Sequence, residues 1–70
     1  DEEKELGIII EVKYAEESQF EVVCREAIAQ IDKNRYAEEL REEGCNSILK
    51  YGIACYKKRC QVTVVKEKVE

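Results

Sequence analysis

The feature that most limits the fold of this chain is the short run GIIIEVK at residues 7–13. Isoleucine and valine are β-branched, and the run is short and begins with a glycine, so it predicts a β-strand. Apolar residues on both faces at its start are typical of a strand in a sheet that is covered on both sides. Because strand side chains alternate, Ile8, Ile10 and Val12 share one face, and we expect that face to pack against the following helix.

Apolar residues at helical spacing follow the strand and predict a first helix from about Gln19 to Ile31 or Asp32. Ser18 and Glu21 have the spacing of a capping box just before this run. The predicted apolar stripe, which would face the strand, consists of Phe20, Val23, Cys24, Ala27, Ile28 and Ile31.

The second half of the chain predicts a shorter helix and a hairpin. Asp32-Lys33-Asn34 interrupts the helical pattern, because Asp and Asn side chains compete for local backbone hydrogen bonds. A second helix is expected over residues 36–43, with Gly44 at its C-terminal cap. Two alternating runs after Asn46 are separated by Lys57-Lys58-Arg59, which predicts an antiparallel hairpin.

Length and composition indicate one small domain. The chain has 70 residues, of which 44% are hydrophobic and 40% charged. We expect residues 1–6 to form a charged lead-in and residues 7–67 a single α/β domain, with one small sheet and the order β-α-α-β-β. With no apolar run of about 18 residues, no membrane span is expected. The first residue is Asp1 rather than methionine, which suggests a piece of a larger protein.

Four cysteines, Cys24, Cys45, Cys55 and Cys60, are irregularly spaced, and the chain contains no histidine. This pattern argues against a structural zinc site. We expect four reduced thiols and a cytoplasmic protein. The alternative is a Cys55–Cys60 bridge across the hairpin, which depends on a strand register that the sequence does not fix.

The charge is distributed unevenly over a chain whose net charge is −4. An acidic total argues against a protein that coats DNA through a broad basic face. It does not exclude an enzyme that contacts phosphates through a few residues. Lys57, Lys58 and Arg59 form a basic cluster that either blocks pairing at a hairpin tip or contacts phosphate.

Glu11 and Lys13 lie two positions apart at the end of the predicted strand, so their side chains share one face. Such a pair suits phosphodiester hydrolysis, in which a carboxylate holds Mg²⁺ and a lysine stabilises developing negative charge. The main-chain oxygen of Val12 is a natural additional ligand. The alternative is a solvated strand edge whose ion pair contributes about 0–1 kcal/mol.

The segment IIIEVK, followed by AIAQIDKNRYAEEL, resembles the PD-(D/E)xK nuclease superfamily. It looks most like the nuclease-like domain at the C-terminus of bacterial proteins that begin with an AAA-ATPase-like domain. The phrase SILKYGIACYKKRCQVTV resembles the closing strands of that group, so the resemblance covers nearly all of residues 7–65. It implies a partial restriction-endonuclease-like core.

The resemblance also implies roles for individual residues. Glu11 would be a metal ligand, Val12 would supply its main-chain oxygen, and Lys13 would be the catalytic lysine of a Mg²⁺ site. Gln30 and Tyr36 match a glutamine and a tyrosine that support the active site or the nucleic-acid backbone in related members. Their alternatives are a helix-surface amide and an amphipathic residue packed where two helices meet.

One departure from the family pattern concerns the metal-binding aspartate expected on an apolar strand before E-x-K. The acidic residues before Glu11 in this chain are Asp1, Glu2, Glu3 and Glu5, and they lie in a charged run without strand character. We therefore expect part of a Mg²⁺-dependent nuclease-like domain that is inactive alone. The alternatives are a non-catalytic nucleic-acid or protein interaction module of the same fold and a plain interaction domain. Expected partners are nucleic acid, an AAA-ATPase-like domain and, through exposed sheet surfaces, a second copy of the chain.

Overall fold

The computed structural model describes residues 5–68, which form two helices packed on a three-stranded sheet. The elements are β1 (Glu5–Tyr14), a 3₁₀ turn (Glu17–Gln19), α1 (Phe20–Lys33), α2 (Tyr36–Glu42), β2 (Cys45–Tyr56) and β3 (Arg59–Lys68). The α/β class, the single small sheet and the order β-α-α-β-β are thus confirmed. The acidic Asp1, Glu2 and Glu3 lie outside the described residues.

The sheet is mixed, with β2 at its centre. β1 pairs with β2 in parallel, and β2 pairs with β3 as an antiparallel hairpin. The parallel pair requires a crossover connection, and α1 and α2 provide it. In the β1–β2 register Glu11 lies beside Gly52 and Lys13 beside Ala54.

Both helices lie on one face of the sheet, called here the helix face. The buried residues of β2 alternate with half-buried ones, which shows that every second side chain points toward the helices. Small residues allow a close approach, because a Cβ atom on Gly52 would lie 2.5 Å from the main-chain oxygen of Cys24. The buried side chains of this core are Phe20, Cys24, Ala27, Ile31, Ala37, Ile48, Lys50 and Ala54.

The predicted packing of Ile8, Ile10 and Val12 against the first helix is wrong. These side chains point to the opposite face and are 53%, 58% and 57% exposed. The reason is that α1 needs the side of β2 on which Gly52 leaves room for it. Glu11 pairs with Gly52, so the Glu11 side chain lies on the side of the helices. Ile8, Ile10 and Val12 alternate with Glu11 along the strand and therefore point away from the helices.

The remaining side of the sheet, called here the open face, is broad and apolar. It is not covered by either helix, and β1 and β3 contribute exposed valines, isoleucines and a tyrosine. The large exposed side chains on it include Leu6, Ile8, Ile10, Val12, Tyr14, Val62 and Val64. Among residues 5–68, neither helix is long and apolar enough to cross a membrane.

The first turn of α1 differs from the sequence prediction. Ser18 lies inside the 3₁₀ turn, and the residue before α1 is Gln19, which makes no side-chain capping hydrogen bond. The capping-box prediction is therefore wrong. The backbone provides an alternative, since the N–H of Gln19 donates to the oxygen of Glu16 at 2.8 Å. The start of β1 also differs from the sequence prediction. Glu5 and Leu6 belong to the strand, although they were expected in the charged lead-in.

The break between the helices is at residues 34–35, so it overlaps the predicted interruption Asp32-Lys33-Asn34 only at Asn34. α1 continues to Lys33, and Arg35 adopts a left-handed conformation with φ of 64° just before α2. After α2, Gly44 has φ of 105° and donates its N–H to the oxygen of Arg41. This conformation favours glycine, so the predicted cap residue is confirmed.

A buried ammonium group connects β2 with α1 and β3. Lys50 Nζ lies 2.7 Å from Asp32 Oδ1 and 2.8 Å from Glu67 Oε1, and the Lys50 side chain is 9% exposed. Arg41 also bonds to Glu67, so two helices and two strands share one ionic network. Partial burial alone would lower the pKa of Lys50, but the hydrogen bonds and charges of Asp32 and Glu67 outweigh it and raise the pKa.

This network predicts a pH-dependent contribution to stability. Lys50→Met should lower the free energy of unfolding at neutral pH by about 1–3 kcal/mol, because two carboxylates lose their common donor. The raised pKa means that the contribution of Lys50 is fully present below the ordinary value of 10.5 and is lost as pH rises through the folded-state value. Urea unfolding at pH 7 and above pH 10.5 measures both effects.

Lys58→Met is the matched control, because Lys58 is an exposed lysine in the hairpin turn. It should change stability by less than about 0.5 kcal/mol. Equal effects of the two substitutions at neutral pH would contradict the stabilising role of Lys50.

Candidate active site

Glu11 and Lys13 both lie on the helix face, near the C-terminal end of β1. Each side chain is half-buried at the margin of the sheet. None of the ion pairs among residues 5–68 includes either residue. The strand therefore presents a carboxylate and an ammonium on one side without an ion pair to any described residue.

Lys13 borders a shallow cleft of about 300 Å³ between the end of β1 and the outer side of α1. The helix contributes Gln30 to the same cleft, so the structure brings together two of the residues that the family resemblance implied. The other lining residues are Glu26, Ala29 and Lys33.

Glu26 and Lys33 are residues that the sequence analysis missed. They precede and follow Gln30 by four and three positions, so the three side chains lie on one side of α1. The sequence contains a signal for them, because Glu26, Gln30 and Lys33 form a polar stripe at helical spacing beside the apolar stripe. The apolar stripe alone predicts only which side of the helix is buried. Glu26 adds a second carboxylate beside Lys13.

Tyr36 lies elsewhere. It is the first residue of α2 and borders a separate cleft along the outer edge of β1, together with Ile9, Leu40 and Glu43. The two clefts share no lining residue. The structure therefore does not bring Tyr36 to the cleft of Lys13 and Gln30.

The basic cluster lies at the same end of the sheet as Lys13. Lys57 and Lys58 form the hairpin turn, while Arg59 begins β3 and bonds to Glu17 at 2.8 Å. Lys57 Nζ lies 5.2 Å from the centre of the Tyr56 ring. Because Lys13 pairs with Ala54, the turn begins three residues farther along β2, or roughly 10 Å.

Two oxygen groups at the end of β1 have the chemistry of Mg²⁺ ligands. The Glu11 carboxylate and the main-chain oxygen of Val12 are hard donors of the kind that Mg²⁺ prefers. Within residues 5–68, however, no three acidic or cysteine side chains cluster closely enough to hold a metal ion. The donors thus have the right chemistry, and they form only part of a coordination shell.

Comparison with known protein families supplies the identification. The family model of the PD-(D/E)XK nuclease superfamily matches residues 1–65, which is most of the chain. The chain belongs to the PD-(D/E)XK nuclease superfamily. No curated protein and no solved structure matches it. Residues 11–13 read E-V-K and lie in β1.

Proposed function

We propose that this chain is part of a Mg²⁺-dependent nuclease domain that hydrolyses phosphodiester bonds in DNA. The observation that carries the proposal is the position of Lys13. It shares a strand face with Glu11 and faces Gln30 across a cleft, in a chain that belongs to a nuclease superfamily.

The roles follow from the chemistry of each group. The Glu11 carboxylate and the Val12 main-chain oxygen would hold the metal, which lowers the pKa of a bound water and neutralises phosphate charge. The Lys13 ammonium would stabilise the negative charge that develops on the phosphate oxygens. The Gln30 amide can donate to a phosphate oxygen or orient a water in the same cleft.

The charge of this site also bears on activity. One carboxylate and one carbonyl hold Mg²⁺ weakly, so a second carboxylate from outside residues 5–68 would complete the shell. The isolated chain would then cleave DNA poorly, while its parent protein is active. Several other expectations about the chain and its parent remain predictions. They are an AAA-ATPase-like domain in the parent, a bacterial source, a cytoplasmic location, self-association through the open face, phosphate contacts by Lys57, Lys58 and Arg59, and a supporting role of Tyr36.

A paramagnetic titration tests the site directly. Mn²⁺ is added to the ¹⁵N-labelled chain, and the amide signals that broaden are identified. Broadening should be centred on Glu11, Val12 and Lys13, and Glu11→Gln should abolish it there. The matched control is Glu43→Gln, which removes an exposed carboxylate after α2 and should leave the broadening at β1 unchanged.

Folding of the variants is checked by thermal unfolding. Glu11→Gln and Lys13→Met should each change stability by less than about 1 kcal/mol, because neither residue joins an ion pair within residues 5–68. Broadening confined to the acidic residues 1–5 and 38–43 would contradict the metal site. That result would favour a non-catalytic module of nuclease-like fold that binds nucleic acid or protein.

A further inference from the structure

Cys55 and Cys60 lie directly opposite each other across the β2–β3 hairpin. The turn is Lys57-Lys58, and Tyr56 and Arg59 form the pair that closes it. The next pair in an antiparallel ladder is of the non-hydrogen-bonded type, in which the Cα atoms are about 4.5 Å apart. This spacing falls within the range of about 4.4–6.8 Å that a disulfide spans.

The two sulfur atoms are already in contact. Cys55 Sγ and Cys60 Sγ are 2.8 Å apart, close enough for one thiol to donate a hydrogen bond to the other. Both side chains lie on the open face, where Cys60 is exposed and Cys55 is half-buried. A reagent in solution can therefore reach Cys60 without any rearrangement of the helices.

The other two cysteines have different surroundings. Cys24 is fully buried in α1, and its thiol donates to the main-chain oxygen of Gln61 at 3.2 Å. Cys45 begins β2 at the opposite end of that strand from Cys55. Among the four thiols, Cys55 and Cys60 are the cross-strand pair.

We infer that Cys55 and Cys60 form a reversible redox site, a dithiol that small-molecule disulfides such as oxidised glutathione convert to a disulfide. The Cys60 thiolate attacks one sulfur of the small disulfide, whose S–S bond breaks and releases one small thiol. Cys55 then attacks the Cys60 sulfur of the mixed disulfide, releases the second small thiol and gives up its proton to it. The protein loses two electrons and two protons, and the small disulfide gains both.

The local charges support this order of attack. The hydrogen bond with Cys60, together with partial burial, raises the pKa of the Cys55 thiol, so Cys55 keeps its proton. Lys57 and Lys58 lie in the adjoining turn, and their positive charges favour the approach of an anionic small disulfide to the exposed Cys60. Cys60 is therefore the attacking thiol and Cys55 the resolving one.

The experiment exposes the 70-residue chain to a graded series of reduced-to-oxidised glutathione ratios and then blocks free thiols by alkylation. The expected oxidised product is a monomer that lacks two hydrogen atoms and has two of its four cysteines protected. Trypsin cleaves at the basic residues between the two cysteines, so the bridge should join peptides YGIACYK and CQVTVVK until a reductant separates them.

Two variants make the assignment specific. Cys60→Ser should form no intramolecular bridge at any ratio, whereas Cys45→Ser should be oxidised over the same range as the wild type. Bridging that returns to the dithiol form on addition of reduced glutathione supports the redox site. A glutathione adduct that persists on Cys60, a bridge to Cys24 or Cys45, or alkylation of all four cysteines throughout the series would overturn it.

Discussion

Gly52→Ala is expected to destabilise the protein more than any other glycine substitution in the chain. A Cβ atom at this position would lie 2.5 Å from the main-chain oxygen of Cys24 and 3.0 Å from Ile28 Cγ1. The oxygen belongs to the backbone of α1, so it moves away only if the helix moves. We expect a loss of about 3 kcal/mol or more in the free energy of unfolding. This is a large part of the roughly 4–10 kcal/mol typical of a domain of this size.

Urea unfolding followed by circular dichroism measures this loss, and the other two glycines provide controls. A Cβ atom on Gly7 would meet Leu40 Cδ1 at 2.7 Å, but that atom ends a flexible side chain and can rotate away. Gly44 has no neighbour within 4 Å, and alanine there would meet only the strain of φ at 105°, about 1 kcal/mol. A Gly52→Ala variant as stable as Gly44→Ala would contradict the close approach of α1 to β2.

Phe20→Ala is expected to have the second large effect. Phe20 is the only phenylalanine and the first residue of α1, and it is 5% exposed. It packs with Cys24 and Ala54, and Val23 and Tyr56 border the same cluster. Truncation should lower the free energy of unfolding by about 3–5 kcal/mol through lost burial and a cavity that small neighbours cannot fill.

Thermal and urea unfolding of Phe20→Ala are compared with those of Val22→Ala. Val22 lies on the same helix and is 45% exposed, so its truncation should cost less than about 1 kcal/mol. A loss below about 1 kcal/mol for Phe20→Ala would mean that the cluster at the start of α1 contributes little to the core.

Local patterns in the sequence predicted much of the fold. Consecutive β-branched residues predicted β1, the helical spacing from Phe20 to Ile31 predicted α1, and Gly44 predicted the end of α2. Such features depend on neighbouring residues, so a sequence can reveal them. The predicted capping box at Ser18 is absent, because a 3₁₀ turn provides a backbone acceptor for an N–H group just before α1.

The candidate site was predicted in part for the same reason. Alternation along a strand places Glu11 and Lys13 on one side whatever the rest of the fold does. Their meeting with α1 depends on tertiary packing, which brought Gln30 and Glu26 to Lys13 and left Tyr36 at a separate cleft. Residues on different elements have no fixed spacing in sequence, so their proximity could not be read from it.

By itself the sequence determined the order of the elements and which side chains of β1 share a face. Only the tertiary structure decided which face the helices cover and how β2 and β3 are aligned. Gly52 and the small residues Ala27 and Ala54 admit α1 on one side, so Ile8 and its neighbours remain exposed on the other. The same alignment sets Cys55 opposite Cys60. The physical reason is that alternation along a strand fixes which side chains share a face, but either face could be the buried one. Close packing between distant segments selects the face that is buried.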